Sequence, residues 1–168
     1  YCYACIEKWS GIFLFPGNAE SAINYPSNFY PFRQDSNFLY YFGISRPGLT
    51  GIIDAVNDKD YLIGNDYPPE LLIWQGRQPS VKELASLSGV DNVLSKTEFV
   101  VSQKKILLSD KIQWLPVYRR DNLPQLTAMT GKKENEIIQG YSKELVRAVV
   151  SMRCVKSDEE VGSISEMV

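Results

Sequence analysis

The chain has 168 residues, 44% of them hydrophobic, which is enough for one good core and short enough for one domain. Its net charge is −2, and its lysines and arginines are scattered apart from Lys104-Lys105, Arg119-Arg120 and Lys132-Lys133. This balance gives no support to binding nucleic acid or an anionic membrane, and no apolar run approaches the roughly 20 residues that span a bilayer. Histidine is absent, which removes imidazole metal ligation and Ser/His or Cys/His nucleophile activation, and with them most hydrolase mechanisms.

Residues 1 to 9 place Tyr1, Cys5 and Trp9 on one helical stripe that ends before Gly11. Cys2 and Cys5 have C-x-x-C spacing, but no second such pair and no histidine completes a zinc site, and no strand precedes them as a redox motif requires. They read as apolar positions on an opening helix. With Cys154 they make three cysteines, an odd number that fits a reducing, cytoplasmic compartment. The start on tyrosine leaves room for residues upstream, a removed signal peptide included.

Ile12 to Phe15 reads as a short strand stopped by Pro16-Gly17-Asn18, and residues 18 to 28 as a surface loop. The most unusual stretch follows, Tyr30-Pro-Phe-Arg-Gln-Asp-Ser-Asn-Phe-Leu-Tyr-Tyr-Phe-Gly43. Pro31 holds Tyr30 extended, and the five apolar residues Phe38 to Phe42, closed by Gly43, predict a strand buried on both faces. Arg33 and Asp35, two apart on an extended chain, share a face. Either they form a structural ion pair or are held by backbone groups, bracing the loop, or they face a substrate path. Tyr30 and Asn37 flank them and complete the set of candidate site residues, for substrate access or for structure.

Thr50 to Val56 and Tyr61 to Ile63, joined through Asn57-Asp58-Lys59-Asp60, predict an antiparallel hairpin. Leu71 to Trp74 reads as a short strand closed by Gly76. Ser80 with Glu83 is a capping box opening a helix up to Gly89. A short strand over 91 to 94, a helix over 96 to 109 and a strand over 111 to 117 come next. Asp121-Asn122 opens a brief helix ended by Gly131, and residues 134 to 154 carry a long amphipathic pattern with a break at Gly140. Strands alternating with helices and at least one hairpin imply an α/β domain with a mixed sheet. Ser157 with Glu160 forms a second capping box, and Val161, Ile164 and Val168 lay an apolar face with no C-cap behind it. That open end suggests a helix continuing into a further part of the protein.

Read together, Leu14-Phe-Pro-Gly-Asn18, Tyr30-Pro-Phe-Arg-Gln-Asp-Ser36, Phe38-Leu-Tyr-Tyr-Phe-Gly43, Ile73-Trp-Gln-Gly76 and Val155-Lys-Ser-Asp-Glu-Glu160 resemble the N-terminal domain of Xaa-Pro aminopeptidase (aminopeptidase P), of the creatinase/prolidase group. The resemblance covers essentially the whole chain in the right order. It implies a three-layer α/β domain, a mixed β-sheet flanked by helices with a ribonuclease H-like motif, over residues 1–155. Residues 156–168 would then be the junction and the start of the first helix of a catalytic domain. The family removes the N-terminal residue preceding proline, using two divalent metals, usually manganese, held by two aspartates, a histidine and two glutamates of that catalytic domain. No catalytic residue and no cofactor are therefore carried onto this chain.

What the resemblance leaves to the domain is contact with its own catalytic domain, contacts within a homo-oligomer (dimer or tetramer), and a wall that limits access of peptides with proline at the second position. In some members an acidic residue ahead of the Tyr-Pro step points toward the partner subunit's active site, whereas this chain has Ser27, Asn28 and Phe29 there. Asn37 also stands where the family often has aspartate. A self-standing binding or assembly module without a peptidase partner is the alternative.

Overall fold

In the computed structural model, which describes residues 11–26, 28–100 and 112–166, strand β1 (Ile12–Pro16) sets the architecture by alternation. Ile12 and Leu14 enter one apolar cluster, while Phe13 and Phe15 enter another on the opposite face, as the two-residue period of a strand requires. Beside β1 lie β2 (Thr50–Asp54), β3 (Lys59–Ile63), β4 (Asn92–Leu94) and β5 (Ile112–Trp114), in the order β4-β3-β2-β1-β5. The β1–β2 and β2–β3 pairs are antiparallel, and β3–β4 and β1–β5 are parallel. The sheet is mixed, as expected. At the hairpin Asp54 Oδ1 accepts from the Val56 and Asn57 amides.

Helices cover both faces. On one side α1 (Ser36–Phe42), α3 (Val81–Ser88) and α6 (Lys143–Cys154) contribute Phe38, Phe42, Val81, Ala85, Leu145 and Val149 to the core. On the other, helical residues 96–100, α4 (Leu123–Thr130) and α5 (Glu134–Gln139) contribute Phe99, Leu126, Met129 and Ile137. The result is a three-layer α/β domain. Two further helices, α2 (Pro69–Gln75) and α7 (Asp158–Glu166), bury no residue. Among the described residues no helix is long and apolar enough to cross a membrane.

Two runs expected to be strands are helices. For Phe38 to Phe42 the ends decide: Asp35 Oδ1 accepts from the amides of Asn37 (2.9 Å) and Phe38 (3.0 Å), the bonds of an N-cap. At the other end Gly43 takes the left-handed conformation (φ 66°) and donates its N–H to the Leu39 carbonyl, closing the helix as a glycine C-cap does. Only Phe38 and Phe42, four apart and stacked at 5.1 Å, are buried in this helix. A short apolar run fits a buried strand and a helix equally well, and the capping residues arbitrate. For Leu71 to Trp74, Pro68-Pro69 and Glu70 supply a helix start, and Trp74 ends 88% exposed, Ile73 80%.

Several other expectations are met, although the strand expected over 111 to 117 is only Ile112–Trp114. Ser80 and Glu83 exchange the bonds of a capping box (2.7 and 3.1 Å), and Ser157 and Glu160 do so before α7 (3.0 and 3.3 Å). The 134–154 pattern breaks at Gly140, where a β-carbon would come within 2.5 Å of the Glu136 carbonyl oxygen, and Ser142 caps α6 by accepting from the Leu145 amide. Asn122 does not cap α4 with its side chain; a 3-10 turn, Arg120–Asn122, leads in instead. The opening helix with Cys2 and Cys5, and the 96–109 helix beyond residue 100, fall outside the described residues.

Candidate functional site

The loop from Tyr30 to Asp35 is organised by a residue without charge. Gln34 is 4% exposed, and its amide makes two bonds through each end. Oε1 accepts from the backbone N–H of Asn18 (2.7 Å) and of Asp35 (2.9 Å), while Nε2 donates to the carbonyls of Arg46 (2.7 Å) and Ile44 (3.4 Å). A buried amide so satisfied welds the segments that share it. Here it joins the turn after β1, the Tyr-Pro loop and the chain leading to β2.

Asn18 extends the weld. It is buried, donates through Nδ2 to the Arg33 carbonyl (2.9 Å), and accepts at Oδ1 from Asn122 (3.3 Å). Beside it the Gly17 amide bonds the Leu49 carbonyl at 2.9 Å, and a β-carbon on Gly17 would sit 2.7 Å from that oxygen, so glycine is required by close approach. Arg46, also buried, is held by backbone: Nη2 donates to Asn65 O (2.7 Å) and Nη1 to Pro79 O (3.2 Å), with Asp66 only at 3.9 Å and the Tyr67 ring 4.3 Å below the guanidinium. Carbonyl oxygens and an aromatic face carry most of the compensation for this buried cation.

The four sequence candidates take different places. Asp35 is the N-cap of α1, its Oδ1 engaged by two amides. Arg33 is exposed, offers only its carbonyl to the network, and forms no ion pair with Asp35 or any other described residue. Tyr30 is exposed, and its amide donates to the Ser21 carbonyl at 3.0 Å. Asn37, half-buried, reaches a residue far along the chain: its Oδ1 accepts a 2.8 Å bond from Arg153 Nη1, and the Arg153 guanidinium also lies 5.5 Å from the Tyr40 ring.

Asp35 and Asn37 form one wall of a groove of about 540 Å³, whose other sides are Pro116, Tyr118, Val150 and Arg153. A smaller hollow of about 70 Å³ adjoins it and reaches Asn18 and Asn122. Tyr30 and Arg33 line neither. The groove is apolar along α6 with polar groups at one end, an arrangement that can seat or shape a neighbouring segment. Among the described residues no three His, Cys, Asp or Glu side chains stand together to hold a metal ion, so no chemical step is assigned to a metal here. Sequence reasoning missed Gln34, Asn18, Arg46 and Arg153. Apart from the adjacent Asp35 on Gln34, their side-chain partners lie 10 to 116 positions away, and no local pattern marks such residues.

The matches to known proteins follow this framework. The family model described as the aminopeptidase P N-terminal domain matches residues 4–113. A probable Xaa-Pro aminopeptidase of Penicillium rubens is 30% identical over 131 residues, covering 78% of this chain and 27% of the relative. One from Chaetomium globosum is 28% identical over 133 residues, covering 79% and 21%. The chain thus spans about a quarter of the length of these curated relatives. Zinc-substituted Escherichia coli aminopeptidase P in complex with product superposes with a TM-score of 0.75 over 95% of this chain and 39% of that one, at 21% identity. The low-pH form of that enzyme matches equally well. With the Pro-Gly-Asn turn and the Tyr-Pro loop welded through Gln34 within a mixed sheet of the same fold, the chain belongs to the aminopeptidase P N-terminal domain family.

Proposed function

We propose that this chain is the non-catalytic N-terminal domain of a metal-dependent Xaa-Pro aminopeptidase that removes the N-terminal residue preceding proline. The observation that carries this reading is family membership joined to a coverage of only 27% of a relative named for that activity. Residues 1–155 are the domain, and 156–168 are the junction and the start of a catalytic domain's first helix. In support, α7 has its start capped and buries nothing, while Val161 and Ile164 are about half exposed. Two divalent metals, manganese by family analogy, belong to that catalytic domain, and the protein works in the cytoplasm.

The domain's own part is to restrict substrate access and to supply contacts within a homo-oligomer. Tyr30 and Arg33, exposed on a loop whose base is fixed by Gln34 and Asn18, are suited to meeting a peptide. Asp35 and Asn37 form one wall of the groove beside α6.

Incubating the 168-residue chain with an Xaa-Pro peptide and manganese is expected to release no amino acid, while the full-length protein releases the residue before proline. Turnover by the short chain above a no-protein control overturns the non-catalytic assignment. A full-length protein without turnover and without a cluster of two aspartates, a histidine and two glutamates favours the stand-alone module instead. In the full-length enzyme Tyr30→Ala and Arg33→Ala are expected to change kcat/KM for long peptides more than for dipeptides, and equal effects on both dismiss an access role.

A further inference from the structure

Asp60, half-buried in β3, and Asp91, exposed just ahead of β4, are neighbours at the outer edge of the sheet. The parallel register of β3 with β4 pairs Tyr61 with Asn92, Leu62 with Val93 and Ile63 with Leu94, which puts Asp60 beside Asp91 one step earlier. Asn92 Nδ2 donates to the Asp60 carbonyl at 2.9 Å, so the contact between the strands reaches that step. Like charges at neighbouring strand positions repel. Asp60 Oδ1, moreover, is shut off from solvent and has no hydrogen-bond partner, a costly place for an anionic oxygen.

Among the described residues nothing offers Asp60 compensation. Counting by twos from Leu62, Asp60 lies on the face covered by α1, α3 and α6. Asp54 and Lys59 belong to the opposite face, and both Asp54 oxygens are engaged by Val56 and Asn57; Asp58 sits in the turn. No residue of α1 is charged, and Lys82 and Glu83 of α3 and Lys143, Glu144 and Arg147 of α6 are exposed, Glu83 being taken by Ser80 and Arg77, while Arg153 of α6 is half-buried and bonds Asn37. Among the described residues no cation pairs with Asp60.

We propose that Asp60 and Asp91 form a proton-operated clasp: one proton taken from solvent, carried by Asp60 and shared with the Asp91 carboxylate, secures β4 to β3. Its loss loosens β4 and the helical residues 96–100 behind it. In keeping with this, burial first and Asp91 second push the Asp60 carboxyl up from 3.8 to about 6. Because the folded value lies above the ordinary one, the folded edge holds the proton more tightly than an opened edge. The stabilisation is full at acid pH and is lost as the pH rises through about 6.

Amide hydrogen exchange of the full-length protein, normalised for intrinsic rates, tests this. Between pH 5 and pH 7.5 protection at Val93, Leu94 and Gly64 is expected to fall by about tenfold, the linkage expected for a group moving from about 6 to its ordinary value on opening, while Leu14 and Ile52 hold. Asp60→Asn should remove the fall and keep the acid-side protection at both pH values, and Asp91→Asn should shrink it. A fall of the same size in Asp60→Asn, or none in the wild type, overturns the clasp, and an undiminished fall in Asp91→Asn removes Asp91 from it. If Asp60→Asn does not fold, carboxyl NMR titration of the wild type decides: a midpoint near 6 for Asp60 supports the proposal and one near 4 ends it.

Discussion

Arg153, in the last turn of α6, donates a 2.8 Å hydrogen bond to Asn37 Oδ1 in the first turn of α1, joining positions 116 residues apart. The bond ties the end of the last core helix to the polar loop. Arg153→Ala should cost about 1–2 kcal/mol in urea unfolding, the range of a half-exposed bond to a charged donor. Asn37→Asp should add roughly 0.5–1 kcal/mol at low salt, since it creates an ion pair and puts an acid in a first helical turn. Half a molar sodium chloride should erase most of that gain; a gain insensitive to salt would point to another cause.

Asp35 and Arg33 act separately. Replacing Asp35 by alanine removes the N-cap of α1 and should destabilise by about 1 kcal/mol, with serine or asparagine restoring most of it. Arg33→Ala should stay within about 0.5 kcal/mol, as for a surface substitution. Equal losses in the two single variants, non-additive in the double, would reinstate an ion pair between them.

Gln34 should be the most sensitive polar position. Alanine there leaves the Asn18 and Asp35 amides and the Arg46 carbonyl without their partner, for a loss of about 3 kcal/mol. Thermal unfolding would read this as a drop of many degrees. A loss no larger than that of Asp35→Ala would mean water replaces the side chain without strain.

Gly51, the second residue of β2, is kept small by a ring. A β-carbon there would lie 2.0 Å from Phe42 Cε2, so Gly51→Ala should cost about 3 kcal/mol by overpacking. Adding Phe42→Leu should return part of that loss, and strict additivity in the double variant would exclude Phe42 as the obstacle.

Much of this was legible locally. The hairpin, the capping boxes at Ser80 and Ser157 and the break at Gly140 each depend on residues within a few positions of one another; the boxes and the break formed as read, and the hairpin formed with its turn two residues earlier, at 55–58. The two misread runs show the limit of the same method. Phe38 to Phe42 is apolar at every position, so its period is hidden. Asp35 and Gly43, two capping residues standing in plain view, outweighed the β-forming aromatic composition. Leu71 to Trp74 was misread for its apolar content, although almost none of that content is buried.

By itself, then, the order of residues determined the family, the mixed α/β class and most helix ends, because caps, turns and ordered motifs act over short stretches of chain. The tertiary structure decided which polar residues matter. It buried Gln34 and left Arg33 in solvent, although the two are adjacent, because only the folded chain brings Asn18, Ile44 and Arg46 around one side chain. It gave Asn37 an arginine for a partner, and set Asp60 against Asp91 through a strand register that no local pattern encodes. Burial and long-range pairing are properties of the packed sheet, and they set the energy of a polar group more strongly than its sequence neighbours do.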